Sequence, residues 1–130
     1  MKDDDKYFQR LAEGHKPEVL WIGGSERRVP ANEVTGTKAG DIFVHRNIAN
    51  MVVQSDMNML SVLDYVVNAL KVKHVIVCGH DGCGGVKAAM GNRQNGLVDN
   101  WIRHIMDVYR LYEDELGAIE DEQKRFDRFC

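Results

Sequence analysis

The chain has 130 residues, of which 44% are hydrophobic and 28% charged, proportions typical of one globular domain that spans residues 1–130. Its 17 basic and 20 acidic residues give a formal net charge of −3. The chain therefore lacks the excess of basic residues that is typical of nucleic-acid-binding proteins, so we expect no nucleic-acid partner. No apolar run approaches the roughly 20 residues that span a bilayer, and no signal peptide follows Met1, so we expect a cytoplasmic protein without a membrane partner.

Apolar patterning predicts three strands and four helices. In chain order, these are a helix over residues 3–12, strands near 18–22 and 41–45, a helix over 55–70, a strand near 74–78, and helices over 99–116 and 120–130. The strand segments are continuous runs of branched apolar residues, which are typical of parallel strands covered on both faces. The sequence therefore predicts an α/β fold with a parallel β-sheet core flanked by helices.

Two loops follow strands that end at the same edge of the predicted sheet, where the functional groups of parallel sheets collect. The first loop carries Glu26 and Arg28, which by themselves are typical of a solvated surface turn. The second loop, residues 79–85, holds His80 and Cys83 in a His-x-x-Cys spacing. This pair can form half of a tetrahedral zinc site, although such a pair alone is more often a chance meeting in a glycine-rich turn or a buried cysteine.

Four motifs follow one another in a specific order and spacing. They are Trp-Ile-Gly-x-Ser-x-x-Arg-Val-Pro at 21–30, Gly-Asp-Ile-Phe-Val-His-Arg-Asn-Ile-Ala-Asn at 40–50, Val-Cys-Gly-His-x-x-Cys-Gly-Gly-Val at 77–86 and Asp-Asn-Trp at 99–101. Together they resemble the β-class carbonic anhydrases, particularly the bacterial type, across essentially the whole chain. The resemblance implies a zinc-dependent lyase that reversibly hydrates CO2 to bicarbonate and a proton.

The resemblance implies three zinc ligands, and His80 and Cys83 match two of them. The family has a cysteine as its first ligand where this chain has Gly24, so we expect zinc binding to be weak or lost. Glu26 stands where the family has an aspartate that pairs with an arginine, here Arg28. A carboxylate can replace the missing thiolate, so we predict a Glu26, His80 and Cys83 metal site. Catalysis by Glu26 and Arg28 is then expected to be impaired.

The resemblance also implies an apolar wall around CO2 and an assembly of several copies. Phe43, Ile48 and Tyr65 match the wall, although each would be an ordinary core residue at its spacing. Family members continue past the equivalent of Cys130 with another strand and further helices, so we expect a C-terminally incomplete chain. Because a sheet without its next strand leaves an open edge, we expect a homo-oligomer, either a dimer or a tetramer.

Two other interpretations stay open at the level of sequence. A non-catalytic relative that binds bicarbonate or a partner protein is favoured directly by Gly24. An altered or shortened form of an ordinary carbonic anhydrase would explain why the ligand position and the C-terminal region both depart from the family. Composition does not separate these interpretations, whereas the metal content of the purified protein would.

Overall fold

The computed structural model describes residues 16–26, 30–38 and 40–130, and its centre is a three-stranded sheet. The strands are β1 (Val19–Gly24), β2 (Ile42–Asn47) and β3 (His74–Cys78). All pairings are parallel, and the strand order is β2-β1-β3. The predicted α/β fold is therefore confirmed, and β1 and β2 each end slightly later than predicted. The prediction of a single domain over residues 1–130 reaches beyond the described residues and stays a prediction.

Helices connect and flank the strands. They are α1 (Ala31–Thr35), α2 (Met57–Asp64, continued by a π-helical turn over Tyr65–Ala69), α3 (Gly84–Met90), α4 (Val98–Leu111), α5 (Glu113–Gly117) and α6 (Glu122–Phe129). The predicted helices over 55–70 and 120–130 are confirmed, and the one over 99–116 is divided at Tyr112 into α4 and α5. The predicted helix over 3–12 lies outside the described residues. None of the helices in the described part of the chain has the length and apolarity needed to cross a bilayer.

Aspartate side chains fix the starts of two helices. Asp56 accepts a hydrogen bond from the Asn58 backbone at 3.2 Å before α2. Asp121 accepts one from the Lys124 backbone at 3.0 Å before α6. Each cap satisfies a backbone donor that the first helical turn leaves open, which is worth about 1 kcal/mol. By contrast, α3 begins with two glycines, which are poor helix formers, so the sequence pattern did not predict it.

Burial is uneven across the sheet. In β1, Leu20 and Ile22 are fully buried against α2. In β3, Val75 is 46% exposed and Val77 is 52% exposed within the described part of the chain. The prediction that all three strands are covered on both faces is therefore wrong for β3. A run of branched apolar residues identifies a strand, but it does not distinguish a central strand from an edge strand.

A tight turn over residues 47–51 follows β2 and contains a 3₁₀ segment, Ile48–Asn50. Ala49 has a φ of 66° and Asn50 a φ of 42°, which place both in the left-handed region. Such a conformation costs of order 1–3 kcal/mol for a residue with a Cβ atom, so the surrounding structure must hold it. Ala49 is buried in a second apolar cluster whose other buried members are Cys83, Ile102 and Ile105. This cluster joins the 47–51 turn to α3 and α4.

Candidate metal centre

Three side chains from two loops converge beyond the carboxyl edge of the sheet. One ligand atom from each of Glu26, His80 and Cys83 lies within 4.8 Å of the other two. Glu26 follows β1, whereas His80 and Cys83 follow β3, the strand hydrogen-bonded beside it. Neighbouring parallel strands end at the same edge of a sheet, and this brings the two loops together. The predicted convergence of His80 and Cys83 is confirmed.

The imidazole of His80 is oriented by its own loop. Its Nδ1 atom lies 2.9 Å from the backbone oxygen of Asp81. A carbonyl oxygen only accepts hydrogen bonds, so Nδ1 carries the proton and donates, and in the neutral ring Nε2 keeps its lone pair. The Nε2 atom is buried and has no hydrogen-bond partner among the described residues. A buried lone pair beside a carboxylate and a thiol fits a metal ligand.

Cys83 is held in place by its surroundings. It is 2% exposed and lies directly before α3, and its backbone oxygen accepts a hydrogen bond from Lys87 at 3.0 Å. The tight turn between His80 and Cys83 uses Gly82, whose φ of 69° favours glycine. Because the backbone on both sides of Cys83 is fixed, its thiol is presented to the donor cluster with little freedom.

The geometry at Gly24 shows how the missing ligand position relates to the donor cluster. Gly24 is the buried last residue of β1. An ideal Cβ atom on it would lie 3.5 Å from His80 Nε2 and 3.1 Å from Glu26 Oε2. A side chain at position 24 would therefore point into the donor cluster. In this chain the Glu26 carboxylate lies next to the place where that side chain would begin. A carboxylate and a thiolate carry the same formal charge, so the donor set can hold a divalent zinc ion, with a hard oxygen donor where the family has a soft thiolate.

Two contacts with β2 fix the loop that carries Glu26. Arg46 Nη1 donates to the backbone oxygen of Gly24 at 3.1 Å. The backbone amide of Ser25 donates to the backbone oxygen of Asn47 at 2.8 Å. Sequence reasoning missed both contacts, because each joins residues on neighbouring strands through a backbone atom and leaves no mark in the residue pattern.

The other predicted site residues next to Glu26 have different outcomes. Arg28 lies outside the described residues, so its pairing with Glu26 stays a prediction. Ile48 is close to the donor cluster, because an ideal Cβ atom on Gly85 would lie 3.3 Å from Ile48 Cγ2 and 3.1 Å from Glu26 Oε1. The structure therefore brings an apolar side chain of the predicted CO2 wall to the carboxylate.

Phe43 and Tyr65 lie in another part of the same chain. Their rings contact each other edge to face, with centroids 6.4 Å apart. Phe43 is paired with Leu20 near the amino end of β1, whereas the donor cluster lies beyond its other end at Gly24. Four residues of strand separate those ends by about 13 Å. Within one copy, the structure does not bring these two rings to the donor cluster, and their role in binding CO2 stays a prediction.

A second thiol lies near Cys83. Partial burial raises the pKa of the Cys130 thiol, and the backbone amides of Cys83 and Gly82 oppose this shift by stabilising the thiolate. Cys83 and Cys130 both line a cavity of about 380 Å³ between the 47–51 turn and α4. Neither Glu26 nor His80 lines this cavity. Cys83 is thus shared between the donor cluster and the cavity wall.

Comparison with known proteins adds family membership to this geometry. Residues 19–130 match the family model described as carbonic anhydrase. The chain belongs to the carbonic anhydrase family. It is 54% identical over 125 residues to a carbonic anhydrase of Emericella nidulans, and the match covers 96% of this chain and 55% of that relative. The chain thus spans about half the length of this relative, which agrees with the expectation of a chain shorter than its family members.

Solved structures give the same result for the fold. The chain is similar to a β-carbonic anhydrase of Sordaria macrospora, described as tetrameric, with 43% identity and a TM-score of 0.82 over 98% of this chain and 66% of that one. It is also similar to a β-carbonic anhydrase of Aspergillus fumigatus, with 37% identity and a TM-score of 0.83 over 98% of this chain and 61% of that one. The β-class resemblance is confirmed, and these three relatives are fungal.

Proposed function

We propose that this chain forms the zinc centre of a β-carbonic anhydrase and reversibly hydrates CO2 to bicarbonate and a proton. The convergence of Glu26, His80 and Cys83 in a member of this family carries the proposal. Carboxylate, imidazole and thiolate are all common zinc ligands, and three protein ligands leave the open fourth position that catalytic sites require. Zinc bound there would act as a Lewis acid that lowers the pKa of water toward about 7.

Each ligand has a distinct part in holding the metal. His80 offers Nε2 because the bond from its Nδ1 to the Asp81 backbone fixes the ring and the tautomer. Cys83 supplies a thiolate from a buried, well-anchored position. Glu26 takes the place of the cysteine ligand that the family has at position 24, where this chain has glycine. A carboxylate used as a ligand cannot also orient a reacting group together with Arg28, so we expect slower turnover than in a relative with the cysteine.

CO2 is small and uncharged, so its binding calls for apolar surface beside the metal. Ile48 provides such a surface next to Glu26. Phe43 and Tyr65 are too far from the cluster in one copy, so their proposed role in the CO2 wall requires that a second copy bring them to the site.

We also infer that the chain assembles as a homo-oligomer, as a dimer or a tetramer. The Sordaria relatives are described as tetrameric, and the exposed Val75 and Val77 of β3 are apolar surface that a second copy can cover. Sedimentation velocity at micromolar concentration should show a species of at least twice the monomer mass. A stable, well-folded monomer would contradict this inference. The cytoplasmic location and the lack of nucleic-acid and membrane partners stay predictions.

The test measures zinc content and stopped-flow CO2 hydration on the same samples. We expect about one equivalent of zinc per chain and a hydration rate above the buffer. Glu26→Gln should lower the zinc affinity at least about tenfold, as loss of a ligand requires. Glu33→Gln is the matched control, because Glu33 is an exposed carboxylate on α1, and it should change neither quantity. Full zinc occupancy in Glu26→Gln would exclude Glu26 as a ligand.

Gly24 favours a second candidate, a non-catalytic family member that binds bicarbonate or a partner protein. The buried end of β1 carries no side chain at the first ligand position. Only two of the family's three ligands, His80 and Cys83, are therefore present. Protein without zinc that shows no hydration, yet is stabilised against heat by bicarbonate, would support this candidate over the enzyme.

A further inference from the structure

The 47–51 turn contacts both loops that carry the donor atoms. On one side, the backbone oxygen of Asn47 accepts from Ser25, the residue before Glu26. On the other side, Ala49 packs with Cys83. An ideal Cβ atom on Gly85 would lie 2.9 Å from Ala49 Cβ and 3.1 Å from Glu26 Oε1. The turn therefore contacts the Glu26 loop through Asn47 and the start of α3 through Ala49.

The shape of the turn is not one that its residues favour by themselves. Ala49 and Asn50 are left-handed although neither is glycine. The Asn47 side chain closes the turn with two hydrogen bonds of 2.7 Å, since Nδ2 donates to the Met51 oxygen and Oδ1 accepts from the Met51 amide. An asparagine side chain that bonds to backbone further along the chain is an effective device for holding such a turn.

A side chain from the helical layer holds the same turn from outside. Trp101 on α4 donates its indole Nε1–H to the backbone oxygen of Ile48 at 2.8 Å. The next residue of α4, Ile102, is buried in the cluster with Ala49 and Cys83. One helix therefore supports the Ile48 carbonyl by a hydrogen bond and the Ala49 side chain by packing.

We propose that Asn47 and Trp101 are positioning residues, which hold the 47–51 turn in the strained shape that keeps Glu26 against His80 and Cys83. This inference rests on the proposed metal centre. If either residue loses its hydrogen bonds, the turn can relax out of the left-handed region, and Glu26 and Cys83 then lose their fixed separation. We expect such a substitution to change the positions of the donor atoms relative to one another and to leave the fold of β1 and α2 intact.

The test uses Trp101→Phe, Asn47→Asp and Asn47→Ala in the full chain. Trp101→Phe removes the indole donor and keeps an aromatic ring. Asn47→Asp keeps the acceptor for Met51 and removes the donor, whereas Asn47→Ala removes both. Tyr109→Phe is the matched control, because it changes an aromatic residue of the same helix by removing only a hydroxyl group and keeps the ring contact with Phe129.

The first measurement is hydrogen exchange of the metal-free protein. In Trp101→Phe, the amides of Ser25 and Met51 should exchange about tenfold faster, and those of β1 and α2 should be unchanged. Asn47→Asp should fall between wild type and Asn47→Ala. Tyr109→Phe should exchange like wild type. Exchange at Ser25 and Met51 that is unchanged in both Trp101→Phe and Asn47→Ala would overturn the proposal.

The second measurement is titration with Co²⁺, whose absorption bands report the ligand geometry. We expect Trp101→Phe and Asn47→Asp to bind Co²⁺ about tenfold more weakly and with shifted bands, as is typical when support of a ligand is lost. Faster exchange with an unchanged cobalt spectrum would overturn the proposal, since the turn would not then set the donor geometry. If wild type binds no Co²⁺, the proposed metal centre fails, and exchange at Ser25 alone decides whether the turn positions the Glu26 loop.

Discussion

The strands β1 and β3 both end in loops that carry donor atoms, yet they are supported in different ways. β1 is hydrogen-bonded to a strand on each side, and Ile22 at its centre is 1% exposed. β3 pairs with β1 alone in the described part of the chain, and Val77 is 52% exposed. Glu26 therefore follows the central, most buried strand of the sheet, whereas His80 and Cys83 follow an edge strand.

On the β3 side, helix packing supports the loop where the exposed edge strand gives little support. Cys83 is buried in the cluster with Ala49, Ile102 and Ile105, so α4 and the 47–51 turn fix the loop that the edge strand leaves less constrained. The two halves of the donor set thus follow strands of different burial, although the 47–51 turn contacts both. Substitutions that change one half more than the other should reveal this division.

The largest expected effect is on the central strand. Ile22→Ala should lower the free energy of unfolding by about 2–5 kcal/mol, because it removes fully buried methyl groups from the centre of the sheet. Val77→Ala, the matched truncation on β3, should cost less than about 1 kcal/mol in protein diluted until it is monomeric, because half of that side chain is exposed in a single copy. Urea unfolding measures both. Equal losses would show that β3 is covered as thoroughly as β1.

A substitution that overpacks the contact between Gly85 and Ala49 tests the region where the two halves of the donor set meet. Gly85→Ala should cost about 1–3 kcal/mol, because its new Cβ atom would lie 2.9 Å from Ala49 Cβ. Ala49→Gly removes that contact and also suits the left-handed φ of 66°. The double variant should therefore be more stable than Gly85→Ala alone. Additive losses in a double-mutant cycle would show that residues 49 and 85 are not in contact.

Restoring the family's first ligand should strengthen the β1 half of the site. Gly24→Cys should raise the zinc affinity by about tenfold or more, since its Cβ atom would lie 3.5 Å from His80 Nε2 and its thiolate could join the cluster. The Glu26 carboxylate, 3.1 Å from that Cβ atom, is the flexible end of a side chain and can move aside.

The order of the substitutions matters. Glu26→Asp should raise CO2 hydration only when Gly24→Cys is already present, because it otherwise shortens the replacement ligand. Zinc content and stopped-flow rates on the single and double variants measure this. If the double variant binds a full equivalent of zinc without any rate above the buffer, the proposed activity is wrong although the family membership stands.

Local patterns predicted the strands and the two-residue core of the site. The run Val75 to Cys78 marks β3, and the spacing of His80 and Cys83 after it marks two donors, because both signals lie within a few consecutive residues. The exposure of β3 was not predictable, since burial depends on what packs on a strand and not on the strand's own residues.

Long-range contacts to backbone atoms also could not be predicted from the sequence. The bond from Trp101 to the Ile48 oxygen joins residues 53 positions apart, and any residue at position 48 would supply the same acceptor. The left-handed φ of Ala49 is likewise hidden, because alanine is not a residue that signals such a turn. The support of the donor set is thus harder to predict than the donors themselves.

The smallest expected effect concerns the opposite ends of β1 and β3. There Lys73 Nζ lies 3.1 Å from Glu18 Oε1, with both side chains about two-thirds exposed at 68% and 66%. Lys73→Ala should cost less than about 0.5 kcal/mol, because water and salt screen an exposed pair and the backbone bond from Lys73 to Glu18 at 2.8 Å remains. The cost should vanish in molar salt. Lys38→Ala, at an exposed lysine without an ion pair in the described part of the chain, is the control for charge loss. A loss well above about 1 kcal/mol in urea unfolding would mean that the side-chain pair, and not the backbone, holds the amino ends of β1 and β3 together.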